Sequence, residues 1–156
     1  MAKVRLETRK ELSIAYIEHT GPYDKIPWPE YLERLYAWAK DRKVIPGFHP
    51  MGIYMDDPYT TTKEELRSQV AISFKGDARG GDGIRTRTLP EMTVATLSHK
   101  GPSCIFKQSY DELEKWVEAN GYKCSGPPME VYSKKPEVVC GKTILHAKIM
   151  TPVRKT

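Results

Sequence analysis

One passage occurs twice in this chain. L-S-I-A-Y-I-E-H-T-G-P at 12–22 returns as M-T-V-A-T-L-S-H-K-G-P at 92–102, with Ala, His, Gly and Pro in register. M-G-I-Y-M-D-D-P at 51–58 returns as M-E-V-Y-S-K-K-P at 129–136. L-R-S-Q-V-A-I-S-F at 66–74 lies over L-H-A-K-I-M-T-P-V at 145–153. The offset drifts from 80 (12 to 92) to 78 (51 to 129) to 79 (66 to 145), the drift that small loop changes produce. Three collinear matches make chance an unsatisfactory explanation and impose one structural grammar on both halves.

That grammar is legible from periodicity. An alternating strand opens each half, V-R-L-E-T-R and I-R-T-R-T-L, and a second strand follows, I-A-Y-I-E and V-A-T-L-S. Each second strand exits through H-x-G-P, where Gly relieves the turn and Pro offers no ladder donor. A helix is expected next. In the first half Pro29 suits a first helical turn, and Leu32, Leu35, Tyr36 and Ala39 recur at helical spacing. In the second half Phe106, Tyr110, Leu113 and Val117 keep that spacing, and Asn120-Gly121 supplies a left-handed stop. Two more strands close each half. The expected fold is α+β: a duplicated ββαββ unit with pseudo-twofold symmetry, a mostly antiparallel sheet, two main helices on one face and a central cleft. The 156 residues form one domain on this reading, with halves at about 1–75 and 84–156 and a flexible connector, G-D-A-R-G-G-D-G, at 76–83.

Composition excludes several classes. Charged residues make up 29% and the formal net charge is +5, but Lys and Arg are interspersed with acids, so no direct nucleic-acid partner is expected. No apolar run reaches the roughly 18 residues of a membrane span, and the charged N-terminus is unlike a signal peptide, so no membrane partner and a cytoplasmic location are expected. Cys104, Cys124 and Cys140 form no C-x-x-C pair, and His19, His49, His99 and His146 have no metal-ligand spacing; no metal and no cofactor are expected. Asp56-Asp57-Pro58 reads as a turn rather than a Mg²⁺ site. Cys104 near a helix start has the setting of a reactive thiol, but without a nameable partner it reads as a small packing residue. Ser13, Ser98 and Ser103 lack the strand–turn–helix setting of a hydrolase nucleophile.

The departure from the repeat is the informative feature. Glu130 stands where the first half has Gly52, within an otherwise shared motif: Met51 with Met129, Ile53 with Val131, Tyr54 with Tyr132. Alternation places Glu130 and Tyr132 on one face of their strand, and Gly52 and Tyr54 on the equivalent face of theirs. Alternation alone leaves a strand glutamate facing water on the open side of the sheet. The alternative is a carboxylate standing in a hollow opposite a glycine that makes room for a guest. Aromatics favour the second reading: Tyr31, Tyr36, Trp38, Tyr110 and Trp116 lie on the helices, with Tyr16, Tyr54 and Tyr132 on strands. Most helical aromatics belong to cores. A set of Trp and Tyr around one carboxylate is also how proteins hold flat or cationic organic molecules. The candidate ligand-binding residues are Glu130, Tyr132, Tyr54, Gly52, Trp38, Trp116, Tyr16 and Tyr110.

The motifs A-Y-I-E-H-T-G-P-Y, L-Y-A-W-A, Y-M-D-D-P and P-P-M-E-V-Y resemble the GyrI-like small-molecule-binding domains, which are akin to the effector-binding domains of AraC- and MerR-type multidrug regulators. The resemblance runs over nearly the whole chain. It implies a duplicated α+β unit with a cleft between its two helices, and a glutamate, here Glu130, facing lipophilic cations. It also implies two alternatives: hydrolysis of cyclopropane-bearing electrophiles, with Glu130 as the catalytic acid or base, and a protein-interaction role of the gyrase-inhibitor kind. Gln69 stands where the family often has an acid, and Ser103-Cys104 replaces its usual Tyr-acid pair. With no helix-turn-helix segment in the sequence, a stand-alone binding protein is expected rather than a transcription factor.

Overall fold

The computed structural model describes residues 3–102 and 105–156. Ser103 and Cys104 lie outside the described residues, so the expectations attached to them rest on sequence alone. The chain is α+β with two main helices and antiparallel strand pairing throughout the ladders described below.

The chain forms two compact units: residues up to Arg9 together with Met92–Thr156, and Lys10–Glu91. In the second of these, strands β2 (Leu12–Thr20), β4 (Met51–Tyr54), β5 (Arg67–Lys75) and β6 (Arg85–Leu89) pair in the order β6-β2-β5-β4. The two-residue β3 (Ile45–Pro46) pairs with β5. In the other unit, β1 (Arg5–Arg9), β7 (Met92–Gly101), β9 (Met129–Tyr132) and β11 (Lys142–Lys155) pair in the order β1-β7-β11-β9. The short strands β8 (Tyr122–Cys124) and β10 (Glu137–Val139) also pair with β11.

The boundaries differ from those read in the sequence. The opening strand of each expected half joins the ladder of the other unit: β1 pairs with β7, and β6 pairs with β2. The local pattern of a strand does not encode its pairing partner, so alternation could locate β1 and β6 but not assign them. The stretch at 76–83 is likewise no loose connector. Trp38 Nε1 donates to the Arg79 carbonyl at 3.1 Å, and Arg34 donates to the Asp82 carbonyl at 2.7 Å. Gly81 and Ile84 close a turn, and Ala78 packs against the core. Its glycines supply conformations, and α1 supplies the anchor.

Helix α1 (Trp28–Asp41) carries Pro29 in its first turn, as expected from a proline that need not donate there. It buries Leu35, Trp38 and Ala39. These pack with Ala15, Ile17, Val70, Ile72 and Phe74 from β2 and β5. Helix α2 (Phe106–Ala119) buries Leu113 and Val117 against Ala95, Leu97, Ile149 and Val153 from β7 and β11. It stops where Gly121 takes φ +79°, the left-handed conformation a glycine adopts without penalty. Each unit thus has its own apolar core under its own helix. Among the described residues no helix is long and apolar enough to cross a membrane.

Candidate functional site

Strand β9 is four residues long, and its second residue is a glutamate. Glu130 pairs with Ile149 of β11, and Tyr132 pairs with Ala147. Ile149 belongs to the core beneath α2, so alternation directs Glu130 and Tyr132 to the helix-covered face rather than to open water. Glu130 is only 7% exposed. Tyr110 reaches it from α2 and donates to Oε2 at 2.6 Å, while Tyr132 donates to Oε1 at 2.8 Å. Among the described residues no Lys, Arg or His forms an ion pair with it.

Burial is the dominant influence on this acid. Removal from water disfavours the charged form and raises Glu130 above the ordinary glutamate value; the two tyrosine hydroxyls oppose the shift by stabilising the anion. One strand beyond Ala147, on β7, lies His99. His99 lies parallel to the Phe106 ring, centroids 3.9 Å apart, and its Nδ1 is 2.8 Å from the Ser109 hydroxyl. Burial holds His99 below its usual value. It is a packing histidine, buried and stacked on Phe106.

Gly52 and Tyr54 meet in the other unit, but not as an open space. Tyr54 folds back over Gly52, so that a Cβ there would lie 2.7 Å from the tyrosine oxygen and 2.9 Å from Cζ. The absent side chain makes room for a tyrosine of its own strand, which corrects the expectation of a vacancy kept for a guest. Tyr54 in turn meets the edge of Tyr23, centroids 4.9 Å apart.

The remaining candidates lie elsewhere. Trp38 is 6% exposed, packs edge-on against Phe74 and spends its N–H on Arg79, so it serves the core of its unit. Trp116 packs against the core beneath α2. Tyr16 sits on the face of β2 opposite Ala15 and Ile17, under the Arg87 guanidinium at 5.1 Å. Glu130, Tyr110 and Tyr132 are therefore the candidates that the structure brings into direct hydrogen-bonded contact.

Sequence reasoning missed two polar groupings on the faces away from the helices. Arg87 donates to Gln69 at 2.6 Å above Tyr16. Glu7 accepts from Thr96 and, at 3.0 Å, from Lys148. Both involve an opening strand, so the signal was hidden behind the unassigned pairing. The Asp56-Asp57-Pro58 segment is a turn, as read: Asp57 accepts the Tyr59 N–H at 2.8 Å, and Arg67 grips Asp56.

Residues 2–154 match the model of the GyrI-like small molecule binding domain. The chain belongs to the GyrI-like small-molecule-binding domain family. It is 31% identical over 106 residues to DNA gyrase inhibitor 2 of Dickeya dadantii (strain 3937), a stretch covering 66% of each chain. Its fold is similar to that of the EcmrR C-terminal domain, at a TM-score of 0.80 and 20% identity over 100% of this chain and 99% of that one. It is also similar to SAV2435, solved bound to tetraphenylphosphonium, at a TM-score of 0.60 and 14% identity over 97% of this chain and 94% of that one. At these identities the solved structures show shared architecture alone.

Proposed function

We propose that this protein binds lipophilic organic cations, with Glu130 as the counter-charge and Tyr110 and Tyr132 as its aromatic neighbours. One observation carries the reading: a carboxyl group is buried with hydroxyl partners and no basic partner among the described residues. An uncompensated buried acid is costly to a fold, and a poorly hydrated cation offsets that cost without demanding its own hydration shell back. The tyrosine faces add cation–π attraction of ~0.5–2 kcal/mol. SAV2435, a fold neighbour solved with tetraphenylphosphonium, supports this ligand class by analogy. The two units, each a sheet with one helix, are read here as copies of one ancestral element, of which one copy acquired the acid.

Equilibrium titration with tetraphenylphosphonium and with neutral triphenylphosphine oxide tests the reading. Glu130→Gln is expected to weaken the cation about tenfold or more, the worth of a lost charge-assisted contact, and to leave the neutral compound nearly unchanged. Equal losses for both would remove the electrostatic claim.

A second reading is hydrolysis of a strained electrophile in the same place. The observation favouring it is an acid raised by burial beside a tyrosine at 2.6 Å, a general acid–base arrangement. Incubation with a cyclopropane-bearing alkylator followed by mass spectrometry decides it: a hydrated product supports hydrolysis, and unchanged compound rejects it. A gyrase-inhibitor role rests on the named relative and is tested by a supercoiling assay with added protein.

A further inference from the structure

The site contains an acid and two hydroxyls, and two hydrogen bonds link those three groups in either protonation state. When Glu130 is ionised, both tyrosines donate to it, one to each oxygen. When it is neutral, one oxygen keeps its hydroxyl donor and the other carries the proton, which it donates to a tyrosine oxygen after that hydroxyl rotates. The number of bonds within the set is unchanged, and the rotated hydroxyl turns its own proton away from the acid. What differs is the charge, which nothing among the described residues compensates.

The surroundings bear this out element by element. From α2, Tyr110 faces Glu130, and Glu114 one turn further on is exposed. From its own strand, Tyr132 faces it. From β11 come Ile149 and Ala147, both apolar. Lys148 and His146 alternate onto the opposite face, where Lys148 meets Glu7 and His146 meets Glu137. From β7, beyond Ala147, comes His99, stacked on Phe106 and disfavoured by burial from taking up a proton. No fixed positive charge among the described residues faces the carboxyl group.

We propose that the site takes up organic cations in exchange for a proton: the empty site holds Glu130 as the neutral acid, and the arriving cation leaves it as the carboxylate of an ion pair. The inference rests on the cation-binding reading and deepens it. The exchange balances as one O–H bond broken at Glu130, one proton passed to water and one cation gained, so the charge of the complex equals that of the empty protein. The two helices are both 14 residues long and align end to end at an offset of 78, so the other unit has Gly52 and Leu32 where this one has Glu130 and Tyr110, and the stoichiometry is one proton per chain. The ligand class follows. Permanently charged, weakly hydrated cations are rewarded by rising pH, and neutral molecules of the same shape are indifferent to it. Lipophilic amines have a second route, entering as the free base and taking the Glu130 proton directly.

Isothermal calorimetry of tetraphenylphosphonium binding in buffers of unequal ionisation enthalpy tests the exchange on the unaltered protein. The expected result is a buffer-dependent heat reporting release of up to one proton, with affinity rising by up to about tenfold per pH unit while Glu130 is protonated and levelling above that range. Triphenylphosphine oxide is expected to release none. Glu130→Gln keeps His99 and is expected to abolish the release, which separates the two groups. Tight cation binding with buffer-independent heat and a flat pH profile would overturn the exchange and leave the binding reading standing. Absence of cation binding between about pH 5 and about pH 9 would overturn both.

Discussion

The two units solve the same packing problem with opposite choices at one spot. Beneath α2, the second position of β9 is Glu130, and the helix sends down Tyr110 to meet it. At the equivalent place in the other unit the strand has Gly52 and the helix has Leu32, while Tyr54 lies over the glycine. The polar pair is present as a set or absent as a set. A buried carboxylate without its hydroxyl, or a buried hydroxyl without its acceptor, would each be left unsatisfied. The comparison teaches that the fold needs neither member. The unit with Gly52 shows a packing that does without the pair, and the difference between the units is assigned, on the proposed reading, to a ligand.

Transplanting the acid attacks that comparison most severely. Gly52→Glu places a carboxylate into the Tyr54 ring with no Tyr110 equivalent, and is expected to destabilise the protein by ~3–5 kcal/mol. Adding Leu32→Tyr should recover part of the loss. Denaturant titration of the single and double variants checks both, and a cost below about 1 kcal/mol for the single change would deny that Tyr54 occupies the space.

Removing the acid where it belongs has a pH-dependent effect. Glu130 is raised in the folded state from an ordinary value of 4.5, so its contribution is fully present below that value and is lost as pH climbs through the folded one. Over that window the wild type should lose up to ~1.4 kcal/mol per pH unit relative to Glu130→Gln. Thermal unfolding of both proteins from acid to neutral pH measures it, and parallel profiles would contradict the burial.

Smaller effects follow from the hydroxyls. Tyr110→Phe removes a donor at the cost of ~1–2 kcal/mol when the acid is ionised, and should push Glu130 higher still. Carboxyl-carbon NMR titration of that variant reports the shift, and an unchanged midpoint would show that Tyr110 does not hold the anion. Ser109→Ala, which withdraws the partner of His99 Nδ1, is expected to cost only ~0.5–1.5 kcal/mol by denaturant titration. The equivalent residue in the other unit is Tyr31, which meets His19 edge-on at 6.2 Å.

Much of this was legible before the structure. The H-x-G-P exits, the faces of both helices and the placing of Glu130 with Tyr132 on one strand face all follow from local patterning, because 3.6- and 2-residue spacings are written residue by residue. What escaped is long-range. Nothing in R-L-E-T-R says that it pairs with Met92–Thr96 rather than with its sequence neighbour. The glycines at 76–83 advertise freedom, and only the carbonyls that Trp38 and Arg34 find there reveal the anchoring. Tyr54 over Gly52 is a side-chain rotamer choice, invisible to alternation. Trp38 lies on a helix as Trp116 does, yet it packs into the core of its unit. Tyr110 was identifiable as a helix-face aromatic, whereas its reach to Glu130 needed the third dimension.

Carbon-13 NMR titration of the glutamate side-chain carboxyls, assigned with Glu130→Gln, reads the buried acid directly. A Glu130 resonance still protonated at a pH where the exposed glutamates have ionised, and moved to its ionised position by tetraphenylphosphonium at that same pH, is the predicted result. A Glu130 that ionises together with the surface glutamates and ignores the cation would contradict the account.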